Sequence, residues 1–262
     1  MKRSQGARLC ATAAVGVLSL ALITGCSDEG SKKDSKGSSK GSGTSSSSSA
    51  PAAKALTAAE LEKLLLAQGE LKGYKVDSGD ATLPKSKSVV KVDKAECEPL
   101  AYAMAALAPG ETDAAVNNTV AEDKTADATA STDLGDLEDA FNVATTFVGL
   151  SSYEGDGAEK AFKAVSDGIA ACSGGFGIAA DGENQKITKI TPGKAVATAD
   201  ESTAFTAVAD MDGQGTASFQ VEVVRSGSTI ATFYAINFAA LSKGGESKVP
   251  AAVIEAQVAK LK

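Results

Sequence analysis

The residues Thr216 to Arg225 constrain the fold more than any other stretch of the chain. Ala217, Phe219, Val221 and Val223 alternate with Ser218, Gln220 and Glu222. A period of two puts the apolar set on one face of a strand and the polar set on the other, which an antiparallel sheet accommodates. The flanking sequence supplies neighbours. Ile187 to Ile190, Thr203 to Asp210 and Thr229 to Leu241 read as strands, and Ser226-Gly227 reads as the tight turn joining Thr216 to Arg225 with Thr229 to Leu241. Thr229 to Phe238 is apolar on both faces, which predicts the central strand.

Helices are signed between and around these strands. Thr57-Ala58-Ala59-Glu60 is a capping box, and Leu56 is placed to staple onto Leu61. Leu61, Leu64 and Leu65 then repeat at helical spacing until Gly69, so the spacing predicts a helix over Thr57 to Gln68. Cys97-Glu98-Pro99 opens a second helix with Leu100, Ala103, Met104 and Leu107 on one face and Pro109-Gly110 at its end. Asp156-Gly157-Ala158-Glu159 caps a third. Its buried stripe is Ala158, Phe162, Val165, Ile169 and Cys172, and Gly174-Gly175 ends it. Pro250 opens a last helix carrying Val253, Ile254, Val258 and Leu261. Tyr74 to Val76 reads as a short strand, Ser88 to Val92 as an edge strand after a Pro84 loop, and Phe141 to Tyr153 as a longer strand. From Ala114 to Ala130 the apolar residues are small and fit helix or strand. Two thin strands, Ala115 to Glu122 and Thr125 to Ser131, are the preferred reading, with a loop or single turn at Asp133 to Asp139. Helices interspersed among antiparallel strands indicate an α+β domain: a twisted antiparallel sheet with helices packed mainly on one face.

The N-terminus has a different composition. Lys2, Arg3 and Arg8 precede an apolar run from Ala11 to Thr24. That run is ~14 residues, short of the ~20 that span a bilayer, and has the flanks of a signal segment. Its end, Ile23-Thr24-Gly25-Cys26, resembles the lipobox of bacterial lipoproteins. The resemblance implies a diacylglyceryl group on Cys26, cleavage just before it, and stable attachment to a membrane through its acyl chains. Residues 26–55 are rich in Ser, Gly and Lys and hold almost no apolar side chain, so they read as a disordered tether spanning ~30 Å on average. The organisation expected is therefore a signal peptide over 1–25, a tether over 26–55 and one domain over 56–262, on the extracytoplasmic face of the cell membrane.

Partitioned this way, the domain has 18 basic and 30 acidic residues, a net of −12. Such a surface repels phosphate backbones, so nucleic acid is not an expected partner. The chain has no His and no Trp, which excludes Ser-His-Asp catalysis and His-ligated metal. With Cys10 in the signal segment and Cys26 lipidated, Cys97 and Cys172 remain as an even pair in a compartment where disulfides persist. Two separate buried thiols is the other reading. A bridge would close ~75 residues and contribute roughly 4–5 kcal/mol in the chain-entropy model.

The order of a capped leading helix, a Cys-led helix, a strand feeding a Cys-terminated helix and a run of hairpins resembles the extracellular sensor domain of mycobacterial PknH-type receptor kinases and their free-standing lipoprotein relatives. Glu96-Cys97 and the stretch from Phe162 to Cys172 carry the likeness most firmly. The resemblance implies a twisted sheet with helices around a large cleft, and a role in sensing or binding. This chain departs from the family in having one cysteine pair where two disulfides are usual, and Ile169 where a Trp often stands.

Candidate chemistry is sparse. Carboxylates crowd Glu111 to Glu159 without EF-hand spacing and read as solvated surface. Asp210-Met211-Asp212-Gly213-Gln214-Gly215 lies between two strands and reads as a hairpin loop. Ser88-Val89-Val90-Lys91 matches S-x-x-K, but neither S-D-N nor K-T-G follows. No cofactor, metal or catalytic residue is expected. The reading is a non-catalytic binding domain for an envelope ligand or partner; the alternatives are an envelope structural or assembly factor and, behind it, an acid-based hydrolase. Ser218, Gln220 and Glu222 face away from the core on their strand. They predict a binding face, with a cleft between it and the loops around Asp133 and Gly182.

Overall fold

The computed structural model describes residues 54–78, 83–112, 114–124 and 142–262. The signal segment, Cys26, the tether up to Ala53, the strand expected at Thr125 to Ser131 and the Asp133 to Asp139 loop lie outside the described residues. All those described fall in one compact unit, Ser48–Lys262.

Helix α1 (Ala58–Leu64) begins on the capping box: Thr57 N–H donates to the Glu60 carboxylate at 2.8 Å, and Glu60 N–H donates to Thr57 Oγ1 at 3.3 Å. It stops at Leu64, short of the Gly69 expected from spacing. Leu65 is extended, at φ −61° and ψ 149°, because the chain beyond it is held from elsewhere. The Gln257 side chain donates to Leu64 C=O at 2.7 Å and accepts Leu66 N–H at 2.9 Å. Strand β1 (Tyr74–Ser78) and the three-residue strand β2 (Val90–Val92) follow, then α2 (Glu98–Met104), entered through a turn at Ala95–Cys97. The ambiguous stretch resolves as strand β3 (Ala114–Glu122), and β4 (Thr145–Ser152) follows. Helix α3 (Gly157–Ala171) buries Ala158, Phe162, Val165 and Ile169 as the sequence predicts. The Asp156 side chain makes no cap bond; it pairs with Lys160 one turn on, at 2.8 Å.

The remaining strands are β5 (Phe176–Ala180), β6 (Glu183–Gly193), β7 (Glu201–Asp210), β8 (Thr216–Ser226), β9 (Thr229–Ile236) and the short β10 (Glu246–Ser247). Strand β5 is not among the expected elements, and β9 ends at Ile236 rather than at the expected Leu241. Instead Asn237 accepts Ala240 N–H at 3.0 Å and caps a short helix, α4 (Phe238–Ser242). Helix α5 (Ala251–Ala259) follows Pro250.

The sheet runs β1–β3–β4–β9–β8–β7–β6–β5–β2, antiparallel throughout this path, with β10 parallel beside β8. The sheet is open, and β9 lies in its interior as its two-sided apolar sequence requires. The α+β architecture therefore stands, but helices cover both faces. On one face α2 and α3 pack Leu100, Ala103, Phe162 and Val165 against Phe205, Phe219, Val221, Val223 and Tyr234. On the other, α1 and α5 pack Leu61, Val253, Ile254 and Val258 against Val148, Val224, Ala231 and Phe233. Coverage mainly of one face was expected from the order of helices among the strands. The second core exists because β4 and β9 are apolar on both sides and need burial on both. Both cores and the disulfide close within residues 54–262, so this part contains what it needs to fold by itself.

Candidate functional site

The site is built where α2 rests on the sheet. Cys97 starts the helix and Cys172 ends α3; both are fully buried and joined as a disulfide, with Cα atoms 5.9 Å apart. The bridge holds the two helices on one face. At the far end of α2, Ala106 takes a left-handed conformation, φ 51°. Gly149 on β4 makes room for it: a Cβ there would lie 2.5 Å from the Ala106 carbonyl oxygen and 2.7 Å from Thr232 Oγ1. The helix can therefore sit directly on β4 and β9.

Beside that seat opens a cleft of about 280 Å³. Met104 and Ala101 of α2 form one wall, Phe147, Tyr234 and Ile236 the floor, and Val90, Ile178 and Ala180 the opposite wall. Strands β9 and β5 are separated in the sheet by β8, β7 and β6, yet both line this space. The sheet curls around α2 to bring them together. Leu83, Pro84 and Ala105 also line it, with the exposed Gln185 at the margin, and among the described residues none of the lining side chains is charged.

Tyr234 is the polar group inside. Its ring stacks on Phe147 across the β4–β9 ladder, centroids 6.1 Å apart, and meets Phe219 at 5.5 Å. The residue is 8% exposed. Burial pushes its phenol well above the ordinary tyrosine range, so the hydroxyl stays protonated at any physiological pH. Among the described residues it has no hydrogen-bond partner, in contrast to Tyr153, whose hydroxyl accepts Gly110 N–H at 3.2 Å and pairs with Ser151 Oγ at 3.0 Å.

The chain is similar to the extracellular domain of PknH from Mycobacterium tuberculosis, at a TM-score of 0.48 and 11% identity, over 79% of this chain and 95% of that one. No protein-family model matches the sequence, and no curated protein does.

The residues expected to form a binding face do not form one. Glu222 is fully buried; its carboxylate accepts Val196 N–H at 2.9 and 3.0 Å and Ala197 N–H at 2.8 Å. Gln220 accepts Val249 N–H at 3.0 Å, and Ser218 lies opposite Glu246 of β10. The polar face of β8 is thus the seat of two crossing segments, and Gln220 and Glu222 accept from their backbone donors. Polar residues on a strand mark a face that meets polar groups, and backbone meets that need as well as water does. Of the loops expected to flank that cleft, Gly182 sits in the β5–β6 turn at φ 88°. Its hairpin walls the observed cleft on the opposite face.

Other motifs have structural explanations. Ser88 lies in the turn Lys87–Val89 with its hydroxyl 2.7 Å from that of Ser86, and Lys91 is exposed on β2. Asp210 accepts Gly213 N–H at 3.4 Å within the β7–β8 hairpin, where Asp212 and Gly213 take positive φ. Among the described residues, no three of His, Cys, Asp and Glu gather as a metal site. A larger hollow of about 880 Å³ runs along β2, β5 and β6, but it is an open groove flanked by the exposed Lys91, Lys94 and Lys186. In the sequence Met104 reads as core, and no local pattern marks Phe147, Tyr234 or Ile178. The one signal available was a tyrosine in a strand otherwise apolar on both faces.

Proposed function

We propose that the chain is an extracytoplasmic lipoprotein, anchored through Cys26, whose domain binds an envelope ligand without transforming it. The observation that carries the binding role is the cleft beside Tyr234: apolar, concave, and holding one hydroxyl without a partner among the described residues. Clefts lined by apolar side chains with a few placed polar groups are the usual form of small-molecule sites. The signal-like N-terminus and lipobox support the location, and a Cys97–Cys172 bridge suits an oxidising compartment.

Native mass spectrometry of protein purified from the producing cell's membrane tests the reading. A non-covalent adduct is expected on the wild-type chain and should be absent from Ala180→Phe, which fills the cleft mouth from β5. An adduct carried equally by both, or by neither, overturns the assignment of binding to this cleft.

A further inference from the structure

We infer that the cleft takes the uncharged, chiefly apolar end of an amphiphile, and that the Tyr234 hydroxyl donates its hydrogen bond to an acceptor oxygen on that molecule. The inference rests on the cleft being the binding site, and it adds the ligand's chemical class and the residue that selects it.

Three observations lead to this class. Among the described residues the lining contains no charged side chain, so a carboxylate, phosphate or ammonium entering it would be desolvated with none of them to pair against. The volume, about 280 Å³, is roughly twice the ~150 Å³ of an apolar cavity that takes one benzene. That suits a slim chain of about ten non-hydrogen atoms and is too small for a fused ring system of drug size. Met104, unbranched and adaptable, forms part of the wall, which fits an alkyl segment better than a rigid shape.

Tyr234 supplies the remaining selectivity. Its ring is fixed between Phe147 and Phe219, so the hydroxyl is held in place before any ligand arrives. Burial keeps it protonated, hence a donor. The hydroxyl has no partner among the described residues, and a ligand bringing a hydroxyl, ester or ether oxygen to that point supplies one. An alkane of equal length does not, and a carboxylate brings a charge the lining cannot accommodate.

Isothermal titration of the compact unit 48–262, which needs no detergent, tests this with 1-decanol, methyl decanoate and sodium decanoate. Both neutral probes should bind, with decanoate at least tenfold weaker. Tyr234→Phe should keep the wild-type melting temperature or exceed it, and should weaken 1-decanol about three- to tenfold, the worth of one hydrogen bond. Ala180→Phe should abolish binding of all three. Decanoate binding as tightly as 1-decanol, or unchanged 1-decanol affinity in Tyr234→Phe, overturns the ligand class while Ala180→Phe still reports on the cleft. Binding that survives Ala180→Phe, or no binding of any probe to the wild type, overturns both the class and the site.

Discussion

The fully buried carboxylate of Glu222 accepts the backbone N–H of Ala197 at 2.8 Å. With its bonds to Val196, this clamps the link between β6 and β7 onto β8. Burial raises the carboxyl's pKa above the ordinary 4.5, and the two backbone donors only partly offset that. A carboxyl whose folded pKa is raised favours the protonated native state. Its contribution is present below the unfolded value of 4.5 and is lost as pH rises through the folded value. Thermal unfolding of the wild type should therefore show stability falling with pH just above 4.5. Glu222→Gln should flatten that segment of the profile, and a profile identical to wild type would refute the attribution. Glu222→Ala leaves the buried Ala197 N–H and the part-buried Val196 N–H without their acceptor and should cost about 1–3 kcal/mol.

Gln257 joins the two ends of the domain. It is fully buried on α5 and bridges Leu64 C=O and Leu66 N–H just past α1. Gln257→Leu keeps the volume and strands both backbone groups. It should lower stability by about 2–4 kcal/mol in urea denaturation, with the fastest hydrogen exchange appearing at Leu66. Protection of Leu66 equal to wild type would show that another partner replaces the amide.

The disulfide separates residues 75 apart in sequence. Intact mass under non-reducing conditions, followed by peptide mapping, should find Cys97 and Cys172 linked. Replacing both with serine should cost roughly 2–5 kcal/mol, the range for removing a native disulfide from a small exported domain. It should also loosen α2 and with it the cleft. Free thiols in exported protein would contradict the bridge.

Cys26→Ala should leave an unlipidated precursor retaining residues 1–25, seen as a mobility difference and as loss of labelled fatty acid. Normal processing of that variant would remove the proposal of a lipid anchor.

Much of this domain is legible one segment at a time. The Thr57–Glu60 box, the Pro250 start, the buried stripe of α3 ending at Cys172 and the alternation along β8 are local patterns. Local backbone and side-chain chemistry enforces them, and the structure contains each one. What tertiary structure decided is whatever depended on a distant partner. Helix α1 stops at Leu64 because Gln257, nearly two hundred residues away, satisfies the backbone there. Glu222 is a polar residue on a polar face, yet the link at Val196 and Ala197 folds over it and makes it interior. The period of a strand reveals that two faces differ, but not what comes to cover either. The cleft depends on the same kind of fact. Tyr234 and Ile178 share it because the sheet curls through three intervening strands around α2, and curvature accumulates over the whole sheet rather than being written in any one segment.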